Sequence, residues 1–399
     1  MRRILLGAGA VAASLSAAIA AHAQDRIKDT IKDTIKIGVI LPYSGQFADP
    51  TAQIDNGIKL YLKQHSDKLA GKSVELIRKD VGGINPPVAK RLAQELVTRD
   101  GVDVLAGFSL TPNALAAADV SAEAKTFMVV MNAATAIVTT KSPYMVRVSF
   151  TVPQLNQTLG TWAGKRGLKN AYTMVTDYGP GIDAEAAFQK GFKEAGGDIV
   201  GSVRMAVQNP DFSAYVQRAK DLEPKGIFIM IPGGAQSPAF GKALAERGID
   251  PQKIEVMGQL EITDEHALAS MGDAAIGIIT AGHYDYTHPS KLNEAFVKAY
   301  KAEFDRNPDF FSVGGYDGMH LIDMALQKSG GKTDADSLVG AAKGASFESP
   351  RGPISIDPET RDIVQTVYIR KVEKVDGRLV NVEIAEIPAV KDPYKAMKQ

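Results

Sequence analysis

The most informative absences in this 399-residue chain are of cysteine and of a surplus of either charge. Without cysteine there is no disulfide and no N-terminal cysteine to carry a lipid. Lys plus Arg and Asp plus Glu both number 46, so no basic excess is available to hold a polyphosphate, and nucleic acid is excluded as a partner. The remaining composition is that of a globular protein with two cores.

Motifs of common catalytic and cofactor sites are also missing. Gly107–Thr111 has threonine where a hydrolase nucleophile elbow needs its second glycine. Gly71-Lys72-Ser73 ends like a phosphate-binding loop, but Ser66 stands where the first glycine belongs. No G-x-G-x-x-G follows the first predicted strand. We therefore expect neither an enzyme nor a bound cofactor.

Two groups of polar residues contain metal-ligand types without metal-site spacing. His283, Asp285 and His288 could supply nitrogen and oxygen to an ion, but they lack H-x-x-x-H helical spacing, and a polar strand end is the simpler interpretation. Asp334 and Asp336 resemble the start of a calcium loop whose glycine and glutamate are missing, so a helix cap is expected instead. No metal site is predicted.

The first 23 residues have the pattern of an export signal. Arg2 and Arg3 precede an uncharged Ala- and Leu-rich stretch, Ile4–Ala20, which ends at the A-x-A cleavage pattern Ala21–Ala23. The alternative is a membrane anchor, but the stretch is mostly Ala, Gly and Ser and too weakly apolar to span a bilayer. We predict cleavage after Ala23 and a periplasmic protein.

The rest of the chain alternates strand and helix patterns, which predicts parallel sheets covered by helices. Apolar, β-branched runs predict strands at 35–41, 73–80, 102–108, 126–131, 171–176, 199–206, 226–231, 253–257 and 275–280. Late helices are predicted at 291–304 and 314–328. Asp376-Gly377, between two apolar runs, predicts a closing hairpin. The fold class is thus α/β, with two Rossmann-like lobes and a ligand between them, beyond the carboxyl ends of the strands.

Two strand-exit loops of the first lobe carry anion-binding chemistry. Phe108–Asn113 and Met131–Thr135 each leave a predicted strand, with hydroxyls and, in the first, unpaired amides at a helix start. Ordinary helix capping is the alternative for each loop taken alone. In the second lobe, Asp177–Gly181 leaves a strand and projects Tyr178. Tyr316-Asp317, later in the chain, is a further candidate for the site. Together these loops predict a carboxylate site covered by aromatic rings.

Several of these segments resemble one family, in the same order along the chain. They are IKIGVILPYSG at 35–45, GFSLTPNALAA at 107–117, MNAAT at 131–135, Asp177-Tyr178-Gly179 and Gly315–Gly318. The sequence resembles type I periplasmic binding proteins of ATP-driven importers, in the branched-chain amino acid receptor group. The tail Ser349–Asp357 with Val367–Arg370 is similar to the subgroup assigned to aromatic compounds.

The resemblance implies a lobe arrangement and a set of ligand-binding residues. Lobe one would comprise 35–149 and 286–350, and lobe two 150–285 and 351–390, joined by a hinge of crossing strands. The acid that holds an amino acid's ammonium group falls on Leu260, with Glu261 one position away, and no aromatic residue follows Ile231; both departures disfavour an amino acid. The implied site residues are Phe47, Ser109, Leu110, Thr111, Ala133, Ala134, Thr135, Tyr178, Gln236, Leu260, Glu261 and Tyr316.

The expected function is capture of a small aromatic carboxylate by hinge closure, because a flat apolar body suits the site. The expected partner is an ABC permease in the inner membrane, and the protein is expected to be a monomer. Two alternatives stay open at this point: a receptor for branched-chain or other amino acids, and a periplasmic sensor component that signals through a membrane receptor.

Overall fold

The computed structural model describes residues 32–396. The predicted export signal at 1–23 lies outside these residues. Within them, no helix combines the length and the apolar character needed to cross a bilayer.

The first sheet and its covering helices come from the first part of the chain. In chain order the elements are β1 (Thr34–Leu41), α1 (Ala48–Gln64), β2 (Lys68–Leu69), β3 (Lys72–Asp80), α2 (Pro86–Thr98), β4 (Val104–Gly107), α3 (Thr111–Glu123), β5 (Phe127–Val130) and β6 (Met145–Arg147). The strand order is β2-β3-β1-β4-β5-β6, and all neighbours are parallel except the short β2.

A second sheet follows. Its first elements are α4 (Val152–Lys165), β7 (Asn170–Thr176), α5 (Gly179–Glu194), β8 (Asp198–Met205), α6 (Phe212–Asp221), β9 (Gly226–Met230), α7 (Gln236–Arg247), β10 (Glu255–Gln259), α8 (Glu265–Met271) and β11 (Ile279–Gly282). The predicted strand at 275–280 starts later because Gly272–Ala275 forms a 3-10 turn.

The chain then returns to the first sheet before it completes the second. The remaining elements are α9 (Lys291–Phe304), α10 (Phe310–Lys328), α11 (Ala335–Ala342), β12 (Ser346–Ser349), β13 (Gly352–Ile356), β14 (Ile363–Val375), β15 (Arg378–Val390) and α12 (Pro393–Ala396). Helices α9 and α10 pack on α1, and α11 packs on β5 and β6. Helix α10 begins at Phe310, four residues before the predicted Gly314, and the side chain of Asp309 caps it.

The second sheet has the order β12-β13-β14-β11-β10-β9-β7-β8, with β15 paired to β14. Strands β7 to β11 are parallel, whereas β14 pairs antiparallel with β11, β13 and β15. The predicted hairpin is confirmed, since Asp376 and Gly377 have φ of 49° and 78° between β14 and β15. We call each sheet with its helices a lobe, and the predicted two-lobe α/β class is confirmed. Strand β12 pairs in the second sheet although the predicted limits place it in lobe one.

The connections between the lobes are held by buried arginines. Arg351 donates to the carbonyls of Val148 and Ser149 at 2.6 and 3.0 Å, and it pairs with Asp317 of α10 at 2.8 Å. Arg370 donates to the carbonyl of Tyr284 at 2.8 Å in the second connection. Each guanidinium thus joins segments that are far apart in sequence.

Helices α1 and α10 approach so closely that glycine is required at their contact. A Cβ built on Gly57 would lie 2.0 Å from the carbonyl oxygen of Ser312 and 2.8 Å from the amide nitrogen of Tyr316. Because both obstacles are backbone atoms, a larger residue has to separate the helices.

We predict that Gly57→Ala destabilises the protein by about 2 kcal/mol or more, since overpacking costs exceed the gain in helix propensity. The matched control is Gly340→Ala in α11, where a Cβ meets nothing within 4 Å; it should stabilise by about 0.5–1 kcal/mol. Urea unfolding followed by circular dichroism measures both. Equal stabilities of the two variants would contradict the close-packing explanation.

Candidate functional site

A cavity lies between the two sheets, where the carboxyl ends of their parallel strands face each other. It encloses about 470 Å³ free of protein atoms, including its opening to solvent. The residues that line it are Phe47, Pro50, Ser109, Leu110, Thr111, Asn132, Ala134, Phe150, Val152, Tyr178, Pro180, Met230, Pro232, Gln259, Glu261 and Phe311. Both lobes contribute, as the strand-exit argument predicts.

The loop after β4 delivers three consecutive residues to this cavity. Gly107 and Phe108 have φ of 98° and 59°, so the backbone turns sharply as the strand ends. A Cβ on Gly107 would lie 2.8 Å from the carbonyl oxygen of Ile40, which only glycine avoids. The left-handed conformation of Phe108 is unusual for a bulky residue, and such strain is concentrated at functional sites. Ser109–Thr111 follow directly as cavity residues.

The two hydroxyls of this loop suit an anion. Within residues 32–396 the buried Ser109 Oγ has no hydrogen-bond partner. Thr111 Oγ1 accepts from Thr135 Oγ1 at 3.1 Å, so its own hydrogen stays available to a ligand. Thr111 also begins α3, whose first-turn amides and dipole favour negative charge. These groups suit the binding of a carboxylate, and we call Ser109–Thr111 the carboxylate seat.

The loop after β5 contributes different residues from those predicted. Asn132 and Ala134 line the cavity, whereas Ala133 and Thr135 do not. Ala133 packs in the core of the first lobe. Thr135 lies behind Thr111 and is connected to the cavity only through its hydrogen bond to Thr111 Oγ1. The assignment of ligand contacts to Ala133 and Thr135 is thus not supported by their positions, whereas Ala134 lies where predicted.

The segment after β10 also differs from the prediction, because Leu260–Thr263 forms a 3-10 turn. Leu260 is fully buried in the main core, while Gln259 and Glu261 on either side of it line the cavity. The argument that Leu260 replaces a cavity acid is therefore wrong. Gln259 Nε2 donates to both carboxylate oxygens of Glu261, at 2.7 and 2.8 Å. Glu261 thus places an acidic group from the second lobe in the cavity.

Burial raises the pKa of Glu261 to about 7, with the bonds from Gln259 and from its own backbone amide opposing the increase. Tyr178, predicted to cover the ligand, also lines the cavity, and burial together with the nearby Glu261 charge raises the pKa of its phenol. The second lobe therefore presents a neutral phenol and a carboxyl that titrates near neutrality.

Two further predicted residues lie away from the cavity. Tyr316 sits inside α10, where its hydroxyl donates to Gln64 Oε1 at 2.7 Å and its ring packs against Tyr61. The G-Y-D segment lies within the predicted helix 314–328, and Tyr316 is on the side of it that packs against α1, so its ring does not cover the cavity. Gln236 starts α7 and donates to the carbonyl of Val207 at 2.8 Å. Phe47, by contrast, lines the cavity.

Most of the apolar wall was missed by sequence reasoning. Phe150 and Val152 come from the first connection between lobes, Met230 and Pro232 from the end of β9, and Phe311 from the start of α10. The end of β9 could have been found, because it is a strand exit like the others. Phe150 and Phe311 carry no local signal, since only the folded chain brings them together.

The lobes touch at the rims of the cavity. The backbone amide of Ala136 in the first lobe donates to Asp183 Oδ2 of α5 at 3.0 Å. On another rim, a Cβ on Gly234 would lie 2.7 Å from the carbonyl oxygen of Gln46. The conformation is therefore closed around the cavity.

Among residues 32–396, no three His, Asp or Glu side chains are grouped to hold a metal ion. His283 is buried and stacks on Phe150, with ring centroids 5.2 Å apart. His288 instead contacts Glu383, 3.0 Å from its carboxylate. Asp334 caps α11 through the amide of Ser337, as predicted.

A family model described as "Periplasmic binding protein" matches residues 34–378. An ABC-transporter solute-binding protein from Rhodopseudomonas palustris BisB5, in complex with 3,4-dihydroxybenzoic acid, is 52% identical; the match covers 91% of this chain and 100% of that one, with a TM-score of 0.88. An ABC-transporter solute-binding protein from Rhodopseudomonas palustris HaA2, in complex with p-hydroxybenzoic acid, is 41% identical. The match covers 92% of this chain and 100% of that one, with a TM-score of 0.88. A Brucella melitensis protein called Leu/Ile/Val-binding protein homolog 6 is 42% identical, and the match covers 90% of this chain and 92% of that protein.

The raised pKa of Glu261 predicts a specific pH dependence of stability. Its contribution to folding is fully present below pH about 4.5 and is lost as the pH rises through about 7, because the folded protein holds the proton more tightly than the unfolded chain. The free energy of unfolding of Glu261→Gln, relative to that of wild type, should therefore rise by up to about 3 kcal/mol from pH 5 to pH 8. Urea titrations at both pH values measure this. Glu123→Gln, an exposed exchange, controls for net charge, and a pH-independent difference for Glu261→Gln would refute the prediction.

Proposed function

The chain belongs to the periplasmic binding protein family, and on that premise we propose that it captures a small aromatic carboxylate between its lobes for an ABC importer. The observation that carries the proposal is the combination of a carboxylate seat at Ser109–Thr111 with aromatic and aliphatic walls in one closed cavity. Solved relatives 41–52% identical to this chain hold hydroxybenzoic acids, which are ligands of this chemistry.

The physical balance favours such a ligand. Burying a benzene-sized ring contributes a few kcal/mol at about 25 cal/mol per Å². The helix dipole and charge-assisted bonds at the seat add about 0.3–2 kcal/mol for the carboxylate. Because the seat is in the first lobe and Glu261 and Tyr178 are in the second, a ligand that touches both stabilises the closed form.

The export signal, the lobe limits and the permease partner belong to the same proposal. Cleavage after Ala23 would release the mature protein into the periplasm, where lobe one (35–149 and 286–345) and lobe two (150–285 and 346–390, which includes β12) would close about the connecting strands. The closed monomer would then present its cargo to an inner-membrane permease, without catalysis.

A second candidate function is capture of a branched-chain amino acid. The observation that favours it is Glu261, because a buried carboxylate can pair with an ammonium group. The name of the Brucella relative points in the same direction. Aromatic walls and the hydroxybenzoic acids in the solved relatives favour the first candidate.

A thermal-shift and calorimetric panel tests the proposal on the full mature chain. We predict that benzoate, 4-hydroxybenzoate and 3,4-dihydroxybenzoate raise the melting temperature, whereas leucine, isoleucine and valine do not. Stabilisation by the amino acids alone would overturn the aromatic assignment.

The carboxylate seat is tested by substitution. Ser109→Ala and Thr111→Val should each weaken benzoate binding about tenfold, because each removes one hydroxyl from a buried anion. Ser270→Ala, an exposed exchange on α8, is the control and should leave affinity unchanged. Calorimetric dissociation constants measure the effect, and affinities within twofold of wild type for both seat variants would move the carboxylate elsewhere.

A further inference from the structure

The carboxylate of Glu261 has unused hydrogen-bonding capacity inside the cavity. Its side-chain oxygens accept from Gln259 Nε2, at 2.7 and 2.8 Å, and from the backbone amide of Glu261 itself. An ionised carboxylate accepts about four hydrogen bonds. Glu261 is only 5% exposed, so in the closed protein a ligand is the natural source of a further donor.

The neighbours of Glu261 hold this carboxylate in a fixed orientation. Asn156 Nδ2 donates to Gln259 Oε1 at 2.7 Å and to the carbonyl of Val152 at 2.9 Å. Gln259 therefore cannot turn its own oxygen toward Glu261 without losing the Asn156 bond. Ser237 Oγ donates to the backbone carbonyl of Glu261 at 2.9 Å and fixes the main chain. These bonds pre-organise an acceptor before the ligand arrives.

Electrostatics determines which end of the ligand meets Glu261. A ligand carboxylate beside it would place two negative charges in a buried site, which is costly. The seat at Ser109 and Thr111, on the opposite lobe, offers hydroxyls and helix amides instead. The end of the ligand that reaches the second lobe must therefore carry a hydrogen-bond donor without negative charge.

We propose that Glu261 accepts a hydrogen bond from a ring hydroxyl at the far end of the ligand, and that this bond makes the protein select hydroxylated benzoates over benzoate. The inference rests on the proposed function and assigns its specificity to one residue. Gln259 and Asn156 are positioning residues, which act through Glu261. An ammonium group is the other donor that the same carboxylate would hold, and amino acids are included in the test for that reason.

Isothermal titration of the full mature chain tests the assignment with benzoate, 4-hydroxybenzoate, 4-fluorobenzoate and leucine. Fluorine is close in size to the hydroxyl but donates no hydrogen bond. Wild type should bind 4-hydroxybenzoate at least tenfold more tightly than benzoate or 4-fluorobenzoate, which is about 1.4 kcal/mol. Glu261→Met, which removes the acceptor and has a side chain of similar length, should reduce this preference to threefold or less.

Glu265→Gln is the matched control, because its carboxylate accepts from Asn307 outside the cavity; the hydroxyl preference should survive there. Circular dichroism melting confirms folding, and Glu261→Leu, which likewise has no acceptor, replaces Glu261→Met if the latter unfolds. A hydroxyl preference unchanged in the folded Glu261 variant would overturn the inference alone. Failure of every aromatic acid to bind wild type, or leucine binding that depends on Glu261, would overturn the proposed function as well.

Discussion

The arrangement of both lobes depends on a buried guanidinium, that of Arg351, beneath the cleft. Removing this charge from water is costly, and the cost is offset because Asp317 pairs with it and the carbonyls of Val148 and Ser149 accept from its terminal nitrogens. Those partners belong to the first connection and to α10, while Arg351 itself precedes β13. One side chain therefore fixes three distant segments relative to one another. Loss of any partner would leave a buried charge unpaired, which explains why this junction is built as a unit.

On this foundation the cavity divides its chemistry between the lobes. The first lobe supplies hydroxyls and helix amides, and the second supplies Tyr178 and Glu261. Neither set alone encloses a ligand, because the apolar walls between them also come from both sides. Ligand affinity and lobe closure are consequently one equilibrium, and a ligand favours the closed form only by contacts that the open form lacks.

The sequence predicted most of the fold, because strand and helix periods are local properties that the packing preserves. Strand exits were also predictable, and Ser109, Leu110, Thr111, Ala134, Tyr178, Glu261 and Phe47 lie in the cavity as expected. The direction of individual side chains was harder to predict. Leu260 and Glu261 differ by one position, and the 3-10 turn Leu260–Thr263 decides which of them faces the cavity. Tyr316 lies within the predicted helix 314–328, but the motif does not tell which face of that helix meets the cavity, and its ring packs on α1 instead. Phe150 and Phe311 could not be found, since they come together only after the chain has passed twice between the lobes.

The position of Glu261 shows how one buried group both attracts and excludes. In the proposed assignment its carboxylate favours a ligand with a neutral hydrogen-bond donor at the far end, and the same negative charge repels an anion there. A hydrophobic pocket by itself discriminates weakly against ligands of similar shape, whereas a buried polar group left unpaired, or facing a like charge, discriminates strongly. In the proposed function the apolar walls therefore account for much of the affinity, and we infer that the specificity comes from Glu261, which Gln259 and Asn156 hold in place.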